Sequence, residues 1–460
     1  MRTPNSFILT ATALLIAMPA RAQQGGAPAP DTIPTPPPVA TPAPEESKAN
    51  RFLAPIELQN IRPVDQRGIN MFEAPKDEGV PYTGFKLSWG AAFTQQFQSL
   101  DHSTGSASRL VNNVEQNKLM EIGPGFNNAN ANVYLGAQLA PGIRVALTTY
   151  LSSRHHNETW VKDGYLLIDK SPIEFLPLQV LMAFTTVKVG HFEVNYGDAH
   201  FRRSDNGNAI YNPFVGNLIL DAFTTEIGGE VYLRVANVIA MGSITGGEIR
   251  GNVTNPEKRS MAFISKLGYD KQLTEDLRVR LTGSTFQQAK AISNTLFAGD
   301  RAGSRYYSVL ENTLSTESGN FRSGGINPGY GSKIKTYMIN PFVKFKGLEL
   351  FGTIERATGR SATETVNRDM NQYAGEVIYR FLTDDQLYVG GRYNTVKGEL
   401  TGIASDVSVG RTQLAAGWFV TPGLLLKGEY VTQKYNDFPT TDIRNRGKFN
   451  GFMVEGVVAF

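Results

Sequence analysis

The chain has 460 residues, with 45 basic and 42 acidic side chains, a net charge of +3 and no cysteine. So even a balance offers no basic field for a nucleic acid, and the missing thiols exclude a disulfide framework and a lipid-modified cysteine. Glycine at 46 residues and tyrosine plus phenylalanine at 18 and 26 suit a β-rich chain.

The elements follow in order. Arg2, the apolar run from Phe7 to Met18 and the small-x-small site Ala20-Arg21-Ala22 predict a signal peptide over 1–22. The run is shorter than the roughly 20 residues a membrane helix needs. Residues 23–50, rich in Pro and Ala, read as an extended periplasmic linker. Residues 51–82 are neither low-complexity nor periodic, and are expected either in the periplasm or packed in the lumen of the domain that follows.

From Phe85 the hydrophobic period becomes two. Phe85, Leu87, Trp89, Ala91 and Phe93 share one face, and Val133, Leu135, Ala137 and Leu139 turn at Pro141-Gly142 into Ile143, Val145 and Leu147. Similar hairpins turn at Ala236-Asn237, Thr274-Glu275-Asp276, Lys346-Gly347, Asp384-Asp385 and Pro422-Gly423. Sixteen strands are predicted, near 85–98, 130–140, 143–152, 160–169, 179–192, 224–235, 238–246, 259–270, 277–288, 336–346, 348–357, 371–381, 387–397, 408–420, 424–434 and 448–460. An even number of long strands, with short turns at one rim and long loops at the other, predicts an all-β, up-and-down transmembrane antiparallel β-barrel over 83–460. A soluble β-sandwich or propeller shares the alternation, but its strands are usually shorter.

Sixteen strands enclose a lumen too wide for side chains to fill. The long third loop, after the fifth strand, carries Ile210, Tyr211, Phe214, Val215 and Leu218 to Leu220, apolar residues that a solvated loop would not need. Folding it into the lumen places Asp198, His200, Arg202, Arg203 and Asp205 at a constriction. Alternation turns Lys86, Arg144, Lys188, Arg234, Lys266, Arg278, Arg280, Lys344, Arg380, Arg392, Arg411 and Lys427 inward, against Glu226, Glu230, Glu349, Glu355, Glu376 and Glu429. The excess is basic, from which a mild anion preference is expected.

The stretch "VKVGHFEVNYG" running into a long third loop, with the signal peptide, the sixteen-strand pattern and the final Phe460, resembles the trimeric outer-membrane porins. Its "GHFEVNYG" is similar to a stretch of the phosphate-selective porin O/P group, which relies on arginine ladders and a lysine run; this loop has one Arg-Arg pair and no lysine run. The resemblance implies a homotrimer in the outer membrane of a Gram-negative cell, in contact with lipid and lipopolysaccharide.

Catalytic patterns are thin. None of the five histidines lies in H-E-x-x-H, and no G-x-S-x-G occurs. His155-His156 reads as a solvated pair, His191 and His200 with Glu193 and Asp198 as a remote metal possibility, and "GGINPGYGSK" (324–333) as a surface turn. No pattern calls for a cofactor, a metal or a nucleic acid. The expectation is a non-enzymatic porin for passive diffusion of small hydrophilic solutes or ions. The rivals are a substrate-specific transporter plugged by residues 49–82, and a barrel-borne enzyme or adhesin.

Overall fold

The computed structural model describes residues 56, 58–76, 80–152, 160–249, 251, 253–298, 305–316 and 322–460. The expected leader and linker and His155-His156 lie outside them.

Sixteen strands close into one antiparallel barrel: β1 (Lys86–Ser103), β4 (Gly125–Ala140), β5 (Ile143–Ser152), β6 (Trp160–Ile168), β7 (Thr185–Glu193), β8 (Thr225–Val235), β9 (Val238–Thr245), β10 (Ala262–Gln272), β11 (Leu277–Gln288), β12 (Lys333–Phe345), β13 (Leu348–Arg360), β14 (Arg368–Phe381), β15 (Leu387–Gly398), β16 (Val407–Thr421), β17 (Leu424–Asn436) and β18 (Lys448–Ala459). Two short strands, β2 (Leu110–Val111) and β3 (Val114–Glu115), form a separate hairpin in the first long loop. Every neighbour in the ring is next in sequence except β1 and β18, which pair from Ala92↔Ala459 to Ser103↔Lys448 and seal the sheet. Phe460 adds reciprocal backbone bonds with Ala91 (2.9 and 3.0 Å). In hydrocarbon every backbone group must be bonded, and a closed sheet leaves no edge.

The outward face is apolar and bare. Along β18, Phe452, Val454 and Val458 are exposed while Met453, Glu455 and Val457 are buried. Exposed aromatics form two girdles: Phe345, Tyr379, Trp418 and Phe460 near the short turns, and Tyr337, Tyr373, Tyr393 and Phe452 higher up. Girdle members on one strand are six to eight residues apart (Tyr373 and Tyr379, Tyr337 and Phe345), or ~20–26 Å along the strand, which suits a tilted strand crossing an apolar layer.

One expected strand is corrected. Residues 179–184 do not extend β7; Leu176–Met182 form a seven-residue helix, α1, with Pro177 in its first turn. Pro is pre-organised there, and Leu, Gln and Met favour helix over strand. β6 and β7 are therefore short, nine residues each, against the eight of β9.

The lumen is packed with chain. The third loop (194–224) folds inward: Ile210 and Phe214 join Tyr388, Phe419, Leu425 and Val457, while Val215, Ile219 and Leu220 join Tyr306, Leu310 and Phe449. Each such side chain removed from water contributes about 1.5–3 kcal/mol. The longest loop adds Tyr306, Ile326 and Tyr330, all buried. Its "GGINPGYGSK" is therefore no surface turn: the Gly324 carbonyl accepts from Gln433 at 3.0 Å.

Residues 58–76 lie across the short-turn mouth. Gln59 NH donates to Gln138 (3.0 Å), Gln66 NH to the Pro422 carbonyl (2.9 Å), and Lys76 Nζ to the Thr185 carbonyl (2.8 Å). Tyr82 OH then returns to the Leu139 carbonyl at 3.3 Å. The segment thus touches β4, the turn after β16, β7 and β4 again, making a circuit of the mouth.

Candidate permeation pathway

Two glycines start the third loop. Gly190 (φ +139°) sits where a Cβ would lie 2.4 Å from the Gly164 carbonyl oxygen, so only glycine lets β7 approach β6. Gly197 (φ +72°) turns the chain inward with no room for a side chain against Met338. The β6–β7 ladder runs only from Gly164↔His191 to Ile168↔Val187, so the loop leaves the wall part-way up.

Wall charges hold the loop. Lys427 Nζ donates to the carbonyls of Ala209, Asn212 and Phe214, each at 2.9 Å, and pairs with Glu455 at 2.6 Å. Two residues on, Glu429 accepts from the backbone NH groups of Val215 (2.8 Å) and Gly216 (3.3 Å) and from Tyr306 OH (2.6 Å). Arg392 bridges Glu376 (2.8 Å) and the Gly216 carbonyl (2.8 Å).

The five expected constriction residues all lie inside the barrel, four of them in ion pairs and His200 in hydrogen bonds. Asp198, fully buried, accepts from Arg280 (2.8 and 2.9 Å), Lys266 (3.0 Å) and Thr282 (2.8 Å). Glu73 of the N-terminal segment shares the same cations, at 2.8 Å from Arg280 and 3.3 Å from Lys266. Burial would raise both carboxyls; Lys266 and Arg280 more than offset it and hold both below the usual carboxylate range. Arg202 reaches Glu376 (3.4 Å), Glu349 (3.5 Å) and Asn70. Arg203 meets Asp221 at 2.7 Å and Asp205 at 3.7 Å, and Asp205 also pairs with Lys162. His200 touches Glu193 (2.8 Å) and Asn195 (2.9 Å). Burial pushes its pKa down, against two acceptor oxygens that suit the protonated ring.

Of the other expected inward charges, Arg278 pairs with Asp270 at 2.7 Å. Lys344 reaches Asp385 at 3.5 Å near the rim, and Lys86 is half-buried at the start of β1. Arg144 is buried and donates to the Asn60 carbonyl at 3.2 Å. His191, the other half of the remote metal possibility, instead meets Thr225 at 3.0 Å. No group of three potential metal ligands exists among the described residues.

Three spaces follow one another. A vestibule of about 1150 Å³ opens at the short-turn rim, lined by Arg67, Lys76, Arg278 and Arg280 among others. It shares Glu73, Asp169 and Arg234 with a cavity of about 730 Å³ that runs from the exposed Trp89 and Phe460 at the barrel's foot, between the third loop and the β4–β8 wall, to Lys162, His200 and Arg203. Beyond His200 and Arg203 the space shrinks to about 20 Å³ beside Asp221.

No family model and no curated protein matches the chain. Solved structures do, distantly. An anion-selective porin from Comamonas acidovorans is similar at TM-score 0.48 and 10% identity, covering 82% of this chain and 100% of the other. OmpT, an outer-membrane protein of Vibrio cholerae, scores 0.47 at 10% identity (83% and 99% covered), and OprB of Pseudomonas putida 0.47 at 10% (82% and 94%).

Sequence reasoning missed several participants. Lys162 and Asp163 escaped because a register shift opposite Thr148 and Thr149 inserts one residue into β6, which brings both side chains to the internal cavity. Arg62, Asn70 and Glu73 lie in an aperiodic segment, and only its lack of low complexity hinted that it packs.

Proposed function

We propose that this protein is an outer-membrane porin. Small hydrophilic solutes or ions diffuse through it between the β4–β8 wall and the third loop, and Arg203 and Asp221 set the narrowest point. The observation that carries this reading is the run of joined, charge-lined spaces inside a sealed barrel whose outer band is apolar. The vestibule lining holds six basic residues (Arg67, Lys76, Lys170, Arg234, Arg278, Arg280) against three acidic ones (Glu73, Asp169, Asp270). Their field supports a mild anion preference that weakens with salt. The short-turn rim faces the periplasm in this reading. Phosphate specificity is not proposed, because most constriction cations are already neutralised by carboxylates.

The circuit of residues 58–76 favours a second reading, a more selective transporter in which this segment is a plug. Planar-bilayer recording on the purified chain separates them. The porin reading expects ohmic steps, with a reversal potential in a KCl gradient displaced toward that of chloride. Silence from a barrel that still migrates as a folded, heat-modifiable species overturns it.

A further inference from the structure

The cavity of about 730 Å³ lies within the size range of small-molecule sites, and one cation of its lining, Arg144, is held differently from the arginines deeper in the lumen. Arg280, Arg380 and Arg392 each meet a carboxylate at 2.7–2.8 Å. Arg144, which lines the cavity, meets none among the described residues. It is 6% exposed, gives one long bond to the Asn60 carbonyl (3.2 Å), and its Nε has no acceptor. A buried guanidinium without an anion is costly, and an unmade hydrogen bond there costs more than a made one contributes.

Arg144 has company. Its guanidinium lies 5.9 Å from the Tyr165 ring centroid, and Lys188 approaches the same ring at 4.8 Å while paired with Glu230 at 3.2 Å. Two cations therefore lie near one aromatic ring. Also lining the cavity, Arg62 stacks on Tyr211 at 3.6 Å and, among the described residues, donates to the carbonyls of Gly68 (3.0 Å) and Phe201 (2.8 Å). The aromatic faces bound a space far larger than an inorganic ion needs.

We infer that this cavity is a solute-binding site for a small organic carboxylate with an apolar ring. The carboxylate takes the free Nε–H of Arg144 and the nearby Lys188 charge, and the ring lies against Tyr165 and Tyr211. Arginine's planar fork matches a carboxylate, and the ring recovers the apolar area. The inference rests on the porin reading for how the solute reaches the site, but binding is measured without transport.

The test is calorimetry on the detergent-solubilised chain with benzoate, acetate and inorganic phosphate as probes. Benzoate is expected to saturate and to bind more tightly than the other two. Arg144→Gln is expected to weaken benzoate about tenfold or more, as loss of a charged hydrogen bond predicts, and Arg144→Lys to restore part of it. Tyr165→Ala is expected to weaken benzoate more than acetate. Heat-modifiable migration of each variant checks that it folds. Equal affinity for phosphate and benzoate, or an unchanged affinity in a folded Arg144→Gln barrel, overturns the site. Conductance without benzoate binding sinks the site alone, and benzoate binding without conductance sinks the porin reading and leaves the site.

Discussion

At the scale of single residues, the lumen's charges act mainly as fasteners. Asp198 and Glu73 meet Lys266 and Arg280 at 2.8–3.3 Å, so one four-charge cluster ties the third loop and the N-terminal segment to β10 and β11. Asp198→Asn leaves two buried cations short of a partner and is expected to cost about 3–5 kcal/mol, read from urea unfolding. Both carboxyls are held below their ordinary values. Their contribution is therefore present above the unfolded pKa, about 4, and is lost as pH falls toward the folded values. Protease cleavage within 58–76 is expected to rise on acidification from about pH 6 to about pH 3, and to rise less in Asp198→Asn. The same residues show how far sequence reaches. Alternation alone turned Lys266 and Arg280 inward, but their use as anchors depends on Glu73, which carries no periodic signal.

Among elements, the third loop and the N-terminal segment differ in what holds them. The loop is pinned by apolar packing and by backbone bonds to Lys427 and Glu429, one residue serving carbonyls and the other NH groups. Lys427→Met strips three carbonyls of their donor, so single-channel conductance is expected to become larger and noisier. Arg202→Ala with Arg203→Ala removes two cations already paired with Glu376 and Asp221. The double variant is expected to move the reversal potential toward cation preference; an unchanged potential removes the loop from selectivity. The N-terminal segment has few apolar anchors, Leu58 and Phe72 being the buried ones. Deleting 58–76 is expected to raise conductance severalfold while the barrel still folds.

For the whole molecule, stability comes from closure and from the apolar band. Each of the sixteen barrel strands is bonded on both sides, β1 to β18 included, so the barrel leaves no edge for aggregation. Val454 faces outward between the girdles. Val454→Arg is expected to cost about 2–4 kcal/mol in a refolding titration into lipid vesicles, and Val457→Arg, on the buried side, to fail by overpacking instead.

The sequence by itself determined the barrel, its strand number and its inward-turning third loop, because period-two alternation and turn residues are local signals repeated sixteen times over. Only the tertiary structure decided which charge meets which, where β6 gains its extra residue, that 176–182 is helical, and that residues 58–76 circle the mouth. Those outcomes depend on groups far apart in the chain, such as Asn70 with Glu349 or Glu73 with Arg280. No local pattern encodes such pairings; they arise when the lumen is filled and each buried charge must find a partner.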